Sequence, residues 1–144
     1  MHTHTRAMTF IELMLVILIL GILTMVAVPV FRKTFSSLEL NTFSRELQST
    51  MHYYTHKALT DAKTITLTID SEKREYAARI KEETNPFETH AIPRTLSIET
   101  EHKEINFYPD GTIDKVTIVI FNAQGMRIEL TTKGVYSGVK IKSP

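Results

Sequence analysis

The sequence predicts an α+β chain: one long N-terminal helix, membrane-spanning in its first half and amphipathic in its second, packed on a C-terminal antiparallel β domain. Three observations carry this reading. An eighteen-residue stretch without a charge runs from Leu13 to Val30. Apolar residues then recur at three- to five-residue steps as far as Ala58, and from Thr64 the pattern changes to alternation with period two. The 144 residues suffice for one domain with a modest core. They divide into a polar start (1–7), a membrane helix (8–30), its amphipathic continuation (31–60) and the β domain (61–144).

The leader "MHTHTRA" is short and polar and carries Arg6. It could serve as the n-region of an ordinary secretory signal with Ala27 as a weak cleavage site, but the apolar core is too long for that and Glu12 lies on the wrong side of it. The run "LMLVILILGILTMVAVPV" makes a helix of about 27 Å at about 1.5 Å per residue, close to a bilayer core. Twelve of its residues are Leu, Ile or Val. At about −0.3 to −0.6 kcal/mol each they offer about −4 to −7 kcal/mol of insertion free energy. One carboxylate costs about 2.5 to 3.5 kcal/mol even at mid-membrane, so insertion tolerates Glu12 at the end of the run. Arg6 before the run faces Arg32 and Lys33 after it, which leaves the positive-inside count undecided.

Beyond the run, Phe31, Phe35, Leu38, Phe43, Leu47, Met51, Tyr54 and Ala58 form one expected apolar stripe on a water-soluble helix face. Pro29 removes a backbone donor near the junction and should kink or loosen the helix without ending it. "TITLTID" and "REYAARI" alternate as partner strands joined through "SEK". "EETNPFETHAIP", polar and with two prolines, is expected to be the longest loop. "LSIET", "EINFY", "VTIVIF", "MRIELT" and "GVKIK" follow as short strands. In the turn "YPDG", Pro109 presets φ, Asp110 caps locally and Gly111 accepts a positive φ; "NAQG" closes the next hairpin through Gly125.

The formal net charge of +1 argues against a polyanionic partner for the whole chain. The segment from Asp70 to Glu104 holds nine acids and six basic residues, whereas the charges after Glu129 are all basic: Lys133, Lys140 and Lys142. Lys140 and Lys142 project from one face of a strand, where they could meet phosphates or simply protect a solvated edge. With no cysteine there is neither a disulfide framework nor a thiolate site. His52 and His56 have the i, i+4 spacing of a zinc pair, but Tyr53 stands where a general base would sit and no third ligand is indicated, so no metal is expected. There is no nucleophile elbow and no Gly-rich phosphate loop; the reading is a non-enzyme without cofactors.

The stretch "AMTFIEL" and the apolar run behind it resemble the class III signal of type IV pilins and type II secretion pseudopilins. The resemblance implies cleavage by a prepilin peptidase between Ala7 and Met8, N-methylation of the new Met8 amine, and a glutamate in fifth mature place, which is Glu12. Pro29 falls where these families place a helix-loosening proline. Ala7 stands where the family pattern has glycine, and Met8 where it usually has phenylalanine. The C-terminal half, "INFYPDGTIDKVTIVIFNAQGMRIELTTKGVYSGVKI", is similar to minor pilins of the GspH/FimT type. The resemblance thus implies a pilin-like fold and a minor pseudopilin of a type II secretion system. Its expected place is the inner membrane, single-pass, with a cytoplasmic N-terminus and a periplasmic β domain, before assembly into a pseudopilus. The implied partners are the peptidase, other major and minor pseudopilins, the inner-membrane assembly platform and the lipid bilayer. The alternative is a minor pilin of a type IV pilus or competence system that contacts DNA through Lys140 and Lys142.

Overall fold

The computed structural model describes residues 9–134 and 139–142. The chain divides into two compact units, Met1–Phe35 and Ser36–Pro144. A single helix, α1, runs from Phe10 to Asp61 and belongs to both. Pro29 interrupts one hydrogen bond without ending the helix.

The end of α1 has an identifiable stop. Ala62 takes the left-handed φ of 51°, and the Lys63 amide returns to the Ala58 carbonyl at 3.2 Å. That is the six-to-one bond of a Schellman motif, with alanine in the place that glycine usually occupies. The chain then enters β1 (Ile65–Asp70), paired antiparallel with β2 (Glu75–Ile80). The connection is four residues long rather than the three of "SEK", because Arg74 also adopts a left-handed φ of 56°. Asp70 organises the turn by accepting the Glu72 and Lys73 amides, each at 3.0 Å.

The segment expected to be one long loop contains a strand. Here β3 (Glu88–Ala91) pairs with β2 from Glu75↔Ala91 to Ala78↔Glu88. Polarity hid it: a four-residue strand with no fully buried residue lacks the apolar alternation that marks a half-buried strand. The remaining strands are β4 (Leu96–Thr100), β5 (Glu104–Phe107), β6 (Thr117–Asn122), β7 (Arg127–Thr132) and β8 (Val139–Lys142). They do not form one sheet. The first has the order β3-β2-β1-β5 and the second β4-β6-β7-β8, so β4 and β5, neighbours in sequence, lie in different sheets.

The core of the second unit joins both sheets to the later part of α1. Leu40, Phe43, Leu47, Met51, Tyr54 and Ala58 are buried along one helix face. Phe43 meets Tyr76 of β2 edge-on, with ring centroids 6.2 Å apart, and Tyr54 meets Phe107 of β5 at 5.9 Å. Gln48 donates to the Val139 carbonyl at 2.9 Å, and Asn122 donates to the Ser36 hydroxyl at 3.0 Å, which ties the helix to β8 and β6.

This corrects the expected apolar stripe. Leu40 begins the buried row, while Leu38 is 61% exposed. At about 100° per residue, Leu38 lies about 140° around the helix from Phe43 and about 180° from Leu47, so it cannot share their face. Phe31 and Phe35, also assigned to the stripe, are 73% and 72% exposed in the first unit.

Among the described residues, the buried side chains of Ser44, Thr66, Asn122 and Thr132 each have a hydrogen-bond partner. Ser44 donates to the Leu40 carbonyl, Thr66 to Asn106 Oδ1 and Asn122 to Ser36, while Thr132 donates to the Asp114 carbonyl and accepts the Val116 amide.

Candidate functional site

Thr9 starts α1. Its carbonyl accepts the Leu13 amide at 3.1 Å and its hydroxyl oxygen accepts the Glu12 amide at 3.3 Å. Thr9 is therefore the N-cap, and Glu12 is the third residue of the helix. "TFIE" matches the T-x-x-E spacing of a capping box, a local signal in the sequence for a helix start at this point. A carboxylate in the first turn also faces the positive end of the helix dipole, worth about 0.3–1 kcal/mol. One protomer thus already rewards Glu12 modestly. Ala7 and Met8, the residues of the expected cleavage site, lie outside the described residues.

From Leu13 to Val30 the helix is apolar and uncovered. The best eighteen-residue window has a mean hydropathy of 2.9 and contains no buried residue. Its one hydroxyl, on Thr24, donates to the Leu20 carbonyl at 2.7 Å, so a nonaqueous surrounding need supply no partner. Just beyond the run, Thr34 does the same to Val30 at 3.1 Å. Pro29 lies inside the helix, where its ring nitrogen cannot donate to the Met25 carbonyl.

The "YPDG" turn is built by its own side chains. Gly111 has φ 80°, and its amide donates to the Tyr108 carbonyl at 3.0 Å. Asp110 Oδ1 accepts the Thr112 hydroxyl at 2.6 Å and the Thr112 amide at 2.9 Å, which together hold its carboxyl below the usual range. Pro109, half-buried, precedes it, and of this reversal only Asp110 is exposed. The turn returns the chain past Asn106, whose amide and side chain both donate to Asp114 Oδ2 at 2.9 Å.

Lys140 and Lys142 are exposed on β8, with Val139 buried and Ile141 packed against the core. Lys140 stands opposite Thr131, and Lys142 opposite Glu129. His52 is half-buried and His56 exposed, and among the described residues no group of three or more potential metal ligands forms.

One polar cluster escaped the sequence reading because β3 did. The Tyr54 hydroxyl donates to Glu88 Oε2 at 3.0 Å, and burial, with the Glu88 hydrogen bond and charge adding to it, raises its pKa strongly. His90 stacks on Tyr76 with centroids 4.9 Å apart, and its Nε2 lies 3.1 Å from Glu88 Oε1, outside hydrogen-bond geometry. Burial, then the charge of Glu46, pushes the Tyr76 hydroxyl up to about 12. Thr50 is near enough to temper that rise, but the hydroxyl has no hydrogen-bond partner of good geometry. These contacts hold β3 on β2 and the helix.

A long N-terminal helix packed on antiparallel sheets defines a pilin-like fold, of the type found in minor pilins and minor pseudopilins. The minor pseudopilin EpsH from the type 2 secretion system of Vibrio cholerae superposes with a TM-score of 0.60 at 12% identity, over 74% of this chain and 98% of that one. The type IV minor pilin FimU of Pseudomonas aeruginosa superposes with a TM-score of 0.61 at 16% identity, over 75% of this chain and 90% of that one. At such identities the likeness is one of fold. No family model matches the chain, and no curated protein matches it in sequence.

Proposed function

We propose that this chain is a minor pseudopilin, a structural and non-catalytic subunit of a type II secretion pseudopilus that serves protein secretion. The observation that carries the reading is an uncovered apolar helix attached to a unit that already has its own core. Such a surface needs lipid before assembly and other apolar helices after it. The likeness in fold to EpsH and to FimU supports a subunit of a pseudopilus or pilus.

On this reading residues 1–7 form a leader that prepilin peptidase removes between Ala7 and Met8, and the Met8 amine is then methylated. Residues 8–30 span the inner membrane with the N-terminus cytoplasmic, and the domain from about residue 61 lies in the periplasm. The assembly platform moves the subunit into contact with other major and minor pseudopilins, and lipid contacts are exchanged for helix contacts. Glu12 then pairs with the Met8 amine of its own or a neighbouring subunit. In a low dielectric that pair rewards correct axial register, and removing one partner costs about 3–5 kcal/mol because a buried charge is left alone. Pro29 supplies a point where the helix can bend.

Glu12→Gln is the sharpest test. Glutamine keeps the capping-box position but not the charge. Membrane retention should be unchanged while co-purification with other pseudopilins falls; co-purification at the wild-type level would sink the ion-pair role. Mass spectrometry of membrane-extracted protein should find a chain that begins at Met8, and an intact Met1 would overturn the processing.

Exposure of both Lys140 and Lys142 favours one second reading, a minor pilin of a type IV pilus or competence system that contacts DNA there. Salt-sensitive DNA binding lost in the double alanine variant would select it.

A further inference from the structure

The apolar run ends at Val30, but exposed apolar surface does not. Phe31 and Phe35 project 73% and 72% uncovered, and between them stand Arg32 and Lys33, both exposed and neither in an ion pair among the described residues. Their heights are set by the helix. At about 1.5 Å per residue, Arg32 lies about 3 Å beyond Val30, Lys33 about 4.5 Å and Phe35 about 7.5 Å. A bilayer of about 30 Å hydrocarbon and about 40–45 Å overall has about 5–7 Å of headgroup layer on each side. When Leu13–Val30 fills the hydrocarbon, the two cations stand at headgroup depth, and their long stems let them adjust within it.

We propose that the turn Phe31–Phe35 is a headgroup-reading collar: Arg32 and Lys33 bind the phosphodiester of an anionic lipid while the Phe31 ring, and the Phe35 ring tilted back toward the helix N-terminus, reach the acyl boundary. The inference rests on the membrane-held state proposed above and adds a lipid preference to it. Three features favour lipid as the occupant. The collar is continuous with the uncovered apolar run, its cations are complementary to anionic phosphodiesters, and the rings on either side of them need an apolar neighbour at that depth. A free phosphate would satisfy only the charges. The largely uncovered rings would remain in water.

The test uses the full chain reconstituted in phosphatidylcholine vesicles that carry a trace of spin-labelled phosphatidylglycerol or spin-labelled phosphatidylcholine. The motionally restricted fraction of each label reports its relative association with the protein. A surface cation is worth about 1 kcal/mol toward anionic lipid, so the expected preference is about fivefold if one cation engages and up to about thirtyfold if both do. It should shrink in 0.5 M salt and approach unity in Arg32→Gln/Lys33→Gln. Arg6→Gln should keep it, which separates the collar from the leader's cation.

Equal association of both labels with the wild type, or a preference that survives the double variant, would overturn the proposal. So would its abolition by inorganic phosphate at constant ionic strength. An alkaline carbonate wash is run alongside. Protein that stays with the vesicles but shows no preference refutes the collar alone; protein that washes off refutes the membrane-held state and the collar with it.

Discussion

Between Leu13 and Phe35 the large apolar side chains of α1 are exposed, and between Leu40 and Ala58 one row of the same kinds of side chain is buried. Both stretches are helical. The difference lies in what the rest of the chain provides. In the second unit two sheets offer a complementary face, and one row of the helix is removed from water. In the first unit the apolar residues surround the helix on all sides, so no single face of a small domain could cover them. Hydrophobicity in the second stretch stabilises this protein's own fold; in the first it is suited to a nonaqueous surrounding.

The largest expected effect separates the two stretches directly. Tyr54→Ala removes a buried ring packed against Phe87 and Phe107 together with the hydrogen bond to Glu88, and should cost about 3–5 kcal/mol in urea unfolding of the full chain in detergent. Leu18→Ala should change the same midpoint by less than about 0.5 kcal/mol, because Leu18 touches no core. Comparable losses in both variants would dissolve the distinction.

A smaller pair of effects has opposite signs. Ala62→Gly relieves a left-handed alanine at the end of α1 and should stabilise the second unit by about 1 kcal/mol, read as a higher unfolding midpoint. Arg74 has a similar φ, yet Arg74→Gly should lower the midpoint. Its Nη2 donates to the Pro93 and Leu96 carbonyls at 2.6 Å each, and charge-assisted bonds of that kind outweigh the relieved strain.

The smallest effect is one of pH. The Asp110 carboxyl is held below its ordinary value by the Thr112 hydroxyl and then by the Thr112 amide. A depressed folded pKa contributes stability above the unfolded value of about 3.9, and that contribution is lost as pH falls through the folded one. The unfolding midpoint should therefore decline less steeply below about pH 4 in Asp110→Asn. A slope equal to the wild type would remove Asp110 from the acid response.

Much of the architecture was legible before any coordinates. An uncharged run of eighteen residues can be read without knowing its neighbours, and so can glycines at the positive-φ positions 111 and 125. Glu12 was visible, but its helix position depended on noticing Thr9 three residues earlier. The Tyr54, Tyr76, Glu88 and His90 cluster was not legible. It requires β3, and β3 is strand only because β2 offers it an edge.

By itself, then, the sequence determined where the chain is helical, where it alternates and where it turns, because these follow from local sterics and from the period of the side chains. Only the tertiary structure decided which row of α1 is buried, that Leu38 is not in it, that a polar loop contains a strand, and that β4 and β5 part into different sheets. Those outcomes depend on partners remote in sequence. A period of 2.0 or 3.6 residues says which side chains share a face and leaves open what that face will meet.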